Sequence, residues 1–277
     1  MKNEVSAQLG DNLSWPFPAK DSYAGIDARH RLPLIHSLPG VLAWPIILFV
    51  LTFLAGFLAG AIWALAGREN GPVPLNTMVM LFVALAYGVL GLMFWSWLSK
   101  NNLHHRSFSV LPNSFNDIGI ALLAVTAGIF LGGPLSLAFH EFAMADPSLT
   151  LSGGADPKDI SNTDDFLDTG AATWTIILSA VIAAPIIEEV IFRGWMQPMM
   201  VSRGMPALFA VLITALFFGL VHIFSGLQVM AYTFILGIAL GAARLITGRV
   251  AAPMLAHMAN NAWALFAVPK LLEMQSA

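Results

Sequence analysis

The sequence predicts an all-α, polytopic bundle of transmembrane helices, and two observations carry this prediction. Of the 277 residues, 57% are hydrophobic and only 10% are charged, whereas a soluble domain has about a quarter charged residues. The stretches 43–67, 75–99 and 118–139 contain no Asp, Glu, Lys, Arg or His. Each is long enough to supply the roughly 20 apolar residues that a helix needs to cross a bilayer.

Four further hydrophobic stretches bring the predicted number of spans to about seven, with room for an eighth if a short segment re-enters the membrane. They cover about 173–195, 207–222, 227–243 and 250–268. The chain then divides into three regions: a polar N-terminal segment (1–42), the N-terminal membrane helices with an acidic loop (43–168), and the C-terminal membrane helices (169–277).

Lysine and arginine favour the cytoplasmic ends of membrane spans. With the N-terminus in the cytoplasm, ten of the 13 basic residues fall inside and three (Arg68, Lys158 and Lys270) fall outside. We therefore expect a cytoplasmic N-terminus. The expected location of this multi-pass protein is a prokaryotic inner or plasma membrane. The net charge of −3 without a basic patch argues against nucleic acid as a partner, and the lack of cysteine excludes disulfides, thiolate metal sites and a cysteine nucleophile.

Three charges lie within an otherwise apolar stretch, "AAPIIEEVIFRGW" at 183–195. Ionisable residues inside a span are costly and indicate function by default. Glu189 and Arg193 are separated by four residues, so they share one helix face and can form an ion pair. Glu188 lies about 100° around the helix and is left as a spare carboxylate, a candidate general base. The alternative is a network of three charges that only fixes helix packing.

Two more pairs, each with one histidine, occur on later spans at the same spacing of four residues, which brings the two side chains of each pair to one helix face. Phe218 and His222 occur in "FFGLVHIF", and His257 and Asn261 occur in "PMLAHMANNAW". A lone membrane histidine is more often a packing residue than a ligand. Two histidines, an asparagine and a spare glutamate on three apolar helices instead favour a catalytic site.

Hydrolysis suits this set of side chains in either of two ways. The glutamate could activate a water molecule while the imidazoles and the amide stabilise the oxyanion. Alternatively, Glu188, His222 and His257 could hold a Zn²⁺ ion with one open position. Other mechanisms of intramembrane hydrolysis fit poorly, because the chain has no His-Glu-x-x-His zinc motif, no aspartate pair within the spans and no glycine-framed serine nucleophile.

Taken together, Glu-Glu-x-x-x-Arg, Phe-x-x-x-His and His-x-x-x-Asn in this order resemble the CPBP intramembrane proteases, also called the Abi or type II CAAX prenyl endopeptidase family. The resemblance covers about residues 170–265. It implies an endopeptidase in which Glu188 activates water and the catalytic set is completed by His222, His257 and Asn261. Glu189, Arg193 and Phe218 would then be supporting residues.

The resemblance leaves the substrate and the metal open. Eukaryotic members remove the last three residues of prenylated CAAX proteins, while prokaryotic members cleave other substrates or act in peptide maturation and bacteriocin self-immunity. A zinc mechanism and a metal-free glutamate mechanism have both been argued for the family. We expect a peptide or protein substrate, lipidated in some members, within the bilayer.

Two alternatives from other classes use the same polar core: a proton-coupled transporter, and a non-catalytic immunity or scaffold protein. The depths of the predicted site residues also pose a problem. On straight helices, His257 lies about 12 Å and His222 about 28 Å from the nearest predicted cytoplasmic turn. We therefore expect helix tilting, an interfacial segment, or a break near Gly194 or Pro198.

Overall fold

Helices account for nearly all of the chain that the computed structural model describes, which is residues 34–66, 75–100, 111–112, 115–145, 174–175, 177–202, 205–268, 270–271 and 274. No strand occurs among these residues, so the all-α prediction is confirmed. The N-terminal half contains α1 (Leu34–Leu65), α2 (Leu75–Lys100) and α3 (Phe115–Ala127), which runs through a π-helical turn (Gly128–Gly132) into α4 (Gly133–Ala145).

The C-terminal half begins with a helical rod that spans 177–202 and alternates between two helix types. Its segments are a π-helix (Ile177–Ala183), α5 (Ala184–Glu189), a second π-helix (Val190–Met196) and α6 (Gln197–Ser202). Three helices follow it. They are α7 (Ala207–Leu220), α8 (Leu227–Thr247) and α9 (Ala251–Ala262), the last continued by a π-helical turn (Trp263–Ala267).

Four helical segments of the described chain are long and apolar enough to cross a membrane: Val41–Leu65, Met78–Lys100, Phe115–Phe142 and Leu227–Thr247. The other three predicted spans correspond to the rod 177–202, to the shorter apolar helix α7, and to α9 with its π-helical turn. The protein is therefore a multi-pass membrane protein. One boundary differs from the prediction, because α1 begins at Leu34 rather than near residue 43. Residues 1–33 and the acidic loop lie outside the described residues.

Glycines set how closely α7 approaches α8. A Cβ atom on Gly237 would lie 3.0 Å from the Cα atom of Ala215, and one on Gly241 would lie 2.8 Å from Val211 Cγ1. Side chains at these positions would force the helices apart, as expected for small residues at membrane helix interfaces. By contrast, a Cβ atom on Gly56 would meet nothing within 4 Å.

An aromatic cluster joins the N-terminal helices to the C-terminal rod. The ring centroids of Trp44 and Phe94 are 4.7 Å apart, and those of Trp97 and Trp195 are 4.8 Å apart, both with edge-on geometry. Trp195 is fully buried in the second π-helix of the rod. Because α1 and α2 pack directly on this rod, they stand beside the segment that holds the two glutamates.

Candidate active site

The ion pair predicted from the spacing of Glu189 and Arg193 is present and fully buried. Arg193 Nη1 lies 2.8 Å from Glu189 Oε1, and neither side chain is exposed. The second guanidinium nitrogen donates to the backbone carbonyl of Gly237 at 2.9 Å. The guanidinium carbon also lies 4.6 Å from the ring centroid of Phe218, a cation–π contact. Arg193 is thus held by a carboxylate, a carbonyl and an aromatic ring.

Two further buried polar side chains extend this network along the rod, and the sequence analysis did not single them out. Gln197 Nε2 donates to the carbonyl of Gly241 at 3.1 Å, one helical turn beyond the bond between Arg193 and Gly237. From α8, Arg244 Nε donates to the backbone carbonyl of Arg193 at 3.1 Å. Gln197 could have been found from the sequence, because Glu189, Arg193 and Gln197 follow one another at intervals of four residues.

His257 lies between the two adjacent glutamates. Its Nδ1 atom is 3.0 Å from Glu189 Oε1, and its Nε2 atom is 3.9 Å from Glu188 Oε2. The edge of its ring packs on Phe218, with centroids 5.3 Å apart. Because a carboxylate accepts hydrogen bonds, Glu189 holds the imidazole with the Nδ1 proton directed at itself.

The difference in depth predicted for His222 and His257 does not prevent either histidine from lying near Glu188. The rod is not broken at Gly194 or Pro198, since helical structure is continuous from Ile177 to Ser202. Instead, the segment Val190–Met196 is π-helical, and its wider turns change the register of the side chains that follow. Of the three alternatives, the break is therefore wrong, because a local change of helix type takes its place. Helix tilting and an interfacial segment stay predictions.

Glu188 has a partner that the sequence analysis missed. The hydroxyl of Tyr87 on α2 donates a hydrogen bond to Glu188 Oε1. Its other oxygen, Oε2, is buried and accepts no hydrogen bond within the described part of the chain. The hydrogen bonds agree with the prediction that Arg193 pairs with Glu189 rather than with Glu188. Glu188 is not entirely spare, however, because one of its two oxygens accepts the Tyr87 hydroxyl.

His222 lies just beyond the end of α7, and its ring is fixed by its own helix. Its Nδ1 atom is 2.8 Å from the carbonyl oxygen of Phe218. A carbonyl can only accept a hydrogen bond, so Nδ1 carries a proton and Nε2 carries a lone pair when the ring is neutral. The Phe218 ring lies beside the imidazole, with centroids 5.1 Å apart, as the spacing of the two residues predicted.

A cavity of about 240 Å³ connects Glu188 with His222. Its wall comes from both halves of the chain, because α1 and α2 supply most of the apolar lining while the C-terminal half supplies the glutamate and the imidazole. The lining residues are Leu48, Phe49, Thr52, Phe53, Val83, Tyr87, Glu188, Val221, His222 and Ser225. Two of the predicted catalytic side chains therefore face one cavity.

Asn261, the fourth predicted catalytic residue, belongs to a different set of hydrogen bonds. Its Nδ2 atom donates to the carbonyl of Ala180 at 2.8 Å, and its Oδ1 atom accepts from Asn260 at 3.3 Å. Asn260 in turn accepts a hydrogen bond from the hydroxyl of Tyr232. No hydrogen bond among the described residues joins Asn261 to the glutamates or histidines of the site.

The three side chains suggested as zinc ligands are not arranged as a zinc site. Among the residues described, no group of three or more histidine, aspartate or glutamate side chains could hold a metal ion. His257 and His222 both use Nδ1 in hydrogen bonds, and Glu188 uses Oε1, so Nε2 of each ring and Oε2 of the glutamate are the atoms that could bind an ion. As the side chains stand, these atoms do not form a site of three protein ligands with one open position.

The comparison with known families bears on this part of the chain. Residues 170–263 match the family model of type II CAAX prenyl endopeptidases described as Rce1-like. The resemblance indicated by the three motifs is thus confirmed over this stretch. No curated protein and no solved structure shows significant similarity to the chain. The Rce1-like match supports a peptidase that acts on a protein substrate in the membrane.

The Rce1-like stretch contains every predicted catalytic and supporting residue. It does not include α1 or α2, which line much of the cavity and supply Tyr87. The environment of Glu188 is therefore built partly outside the matched region.

Proposed function

We propose that the protein is an intramembrane endopeptidase in which Glu188 activates the attacking water. One observation carries this proposal: a buried carboxylate lines a cavity shared with an imidazole, and one of its oxygens has no hydrogen-bond partner in the described chain. A carboxylate in a span needs a reason to be there, because its insertion costs about 2.5 to 3.5 kcal/mol. A role as a base supplies that reason.

The proposed reaction runs through Glu188 Oε2. A water molecule bound there gives up a proton to this oxygen while the water oxygen forms a bond with the carbonyl carbon of the scissile peptide. The tetrahedral intermediate then breaks at its carbon–nitrogen bond. Glu188 returns the proton to the leaving nitrogen, so the carboxylate is regenerated and one water is consumed. General base catalysis of this kind contributes about 10²- to 10⁴-fold to the rate.

The two histidines are the proposed donors to the oxyanion. In each ring Nδ1 is already engaged, with Phe218 in one case and with Glu189 in the other. Stabilisation of the oxyanion therefore requires a proton on Nε2, so the donating form is the imidazolium. His222 lines the cavity itself, whereas Nε2 of His257 approaches Glu188. Stabilisation by one such donor is worth about 10²- to 10³-fold.

Glu189 and Arg193 are proposed to support the site through His257 rather than to touch the substrate. The ion pair is completely buried, and Glu189 Oε1 contacts both the guanidinium and the imidazole. Its loss would release the ring that approaches Glu188. For Asn261, the family resemblance remains the support for a catalytic role.

The test compares wild-type membranes with membranes that carry Glu188→Gln. We expect new peptide termini in the wild type that are missing from the variant, although both proteins insert and purify equally well. An internally quenched CAAX peptide, with and without a farnesyl group, then shows whether prenylation is needed. Equal cleavage by wild type and variant would remove Glu188 as the base. A transporter or scaffold would yield no peptide product at all.

Metal content separates the two hydrolytic schemes. The purified active protein is analysed for zinc, and its activity is measured before and after treatment with a chelator. The scheme with a glutamate base alone predicts substoichiometric zinc and unchanged cleavage. One zinc per chain that is required for cleavage would instead mean that the side chains rearrange around the metal.

A further inference from the structure

We infer that Tyr87 is a positioning residue for Glu188, so that the proposed reaction depends on a helix outside the matched family region. This inference rests on the proposed function. Tyr87 lies on α2, is 6% exposed, and directs its hydroxyl at Glu188 across 101 positions of sequence. It also lines the cavity that contains Glu188 and His222.

The hydrogen bond makes the two oxygens of the carboxylate unequal. Oε1 accepts the Tyr87 hydroxyl, while Oε2 accepts no hydrogen bond from any described residue and lies 3.9 Å from His257 Nε2. We assign Oε2, the oxygen that Tyr87 does not engage, as the one that takes the proton from water. Tyr87 thereby selects the reactive oxygen and orients it, and a donor to a carboxylate also stabilises its charge in a setting of low dielectric.

The packing of α2 on the rod makes this contact possible. Gly91 lies one turn beyond Tyr87, and a Cβ atom there would be 2.7 Å from Cδ1 of Ile187, the residue before Glu188. A glycine at this position lets the two helices approach closely enough for a tyrosine hydroxyl to reach the carboxylate. The close approach and the hydrogen bond thus lie on the same face of α2.

Tyrosine is rare in this chain, which supports a specific role for the Tyr87 hydroxyl. It contains only 3 tyrosines against 19 phenylalanines, so apolar packing is done mainly by phenylalanine. A phenylalanine would fill the site of Tyr87 almost as well, since the two differ by one hydroxyl. That hydroxyl has Glu188 as its hydrogen-bond partner.

The test replaces the hydroxyl and then restores a donor. The protein is purified as wild type, as Tyr87→Phe, and with p-aminophenylalanine at position 87, whose para N–H group can donate to the carboxylate. Each is assayed with an internally quenched peptide built on a cleavage site mapped in membranes. We expect Tyr87→Phe to lower kcat by about 10- to 10²-fold with KM within about threefold, because misplacing a catalytic group costs this much. We expect p-aminophenylalanine to recover most of the loss.

Thr214→Val is the matched control. Thr214 is fully buried, and among the described residues its hydroxyl donates only to carbonyls of its own helix, those of Ala210 and Val211. Losing this hydroxyl should leave kcat unchanged, and Tm in detergent reports the fold of every variant.

Each outcome bears on one proposal. If Tyr87→Phe lowers Tm while kcat per folded molecule is unchanged, Tyr87 is structural and the inference fails. Failure of p-aminophenylalanine to restore kcat would also overturn it, because the hydrogen bond would not be the cause. Full activity of Glu188→Gln would instead overturn the proposed function, whatever Tyr87→Phe does.

Discussion

His257 donates its Nδ1 proton to Glu189 at 3.0 Å, and the same carboxylate oxygen binds Arg193 at 2.8 Å. Glu189 therefore holds both the imidazole and the guanidinium in place, whereas its neighbour Glu188 lines the cavity. Two identical side chains in succession have different surroundings. This difference should separate their effects on stability from their effects on catalysis.

Glu189→Gln should destabilise the protein far more than Glu188→Gln does. It leaves the fully buried guanidinium of Arg193 without its carboxylate, and breaking a buried ion pair costs about 3 to 5 kcal/mol. In Glu188→Gln, the amide oxygen can still accept the Tyr87 hydroxyl, so we expect the free energy of unfolding to change little while cleavage is lost. Thermal unfolding in detergent and peptide cleavage measure the two effects. Equal losses of Tm in both variants would contradict the division of roles.

Gly237→Ala should destabilise the bundle, with Gly56→Ala as the control. The new methyl at 237 would lie 3.0 Å from the Cα atom of Ala215, which is backbone and cannot move aside, so α7 and α8 must separate. Overpacking of this kind costs about 1 to 3 kcal/mol. At Gly56 the methyl meets nothing within 4 Å, and we expect no loss of Tm. Equal Tm values for both variants would mean that α7 and α8 are less tightly packed than described.

Asn261→Ala tests whether the family role of this residue holds here. One N–H of its amide is used on Ala180, and the second remains available as a donor. If that donor meets the oxyanion, kcat should fall by about 10²-fold. Asn260→Ala is the comparison, since it removes the acceptor for the Tyr232 hydroxyl and should lower Tm more than kcat. A Tm loss without a kcat loss in Asn261→Ala would leave this asparagine a packing residue.

The orientation of the chain can be tested by labelling, because the protein has no cysteine. Ser152→Cys places a thiol in the acidic loop, and Asn101→Cys places one after α2. With a cytoplasmic N-terminus, an impermeant maleimide should label Ser152→Cys on intact cells and Asn101→Cys only after permeabilisation. The reverse pattern would invert the topology.

Two of the ten basic residues counted as cytoplasmic, Arg193 and Arg244, are buried in the protein. The bias of basic residues towards the cytoplasmic side is therefore eight against three.

Local spacing was a reliable guide to contacts within one helix. A separation of four residues predicted the pair Glu189–Arg193 and the contact of Phe218 with His222, since one helical turn brings such side chains together. The all-helical membrane fold was equally predictable, because runs of apolar residues long enough to span a bilayer have few other uses.

Contacts between helices were out of reach of the same reasoning. Nothing local to Tyr87 signals that its hydroxyl meets Glu188, and the π-helical turns of the rod shift side chains in a way that a period of 3.6 residues does not anticipate. Asn261 shows the same limit, because its spacing from His257 suggested a shared site while its hydrogen bonds lead to Ala180 and Asn260.

The bond between Tyr87 and Glu188 also has a consequence for the order in which the protein is made. The ribosome synthesises α2 long before the rod, so Tyr87 is in the bilayer when the helix that carries Glu188 enters it. The carboxylate can find its hydroxyl partner during insertion, before α9 has been translated. His257, on α9, is synthesised after Tyr87, Glu188 and His222, so under the proposed function the emerging chain gains activity only once α9 is in place.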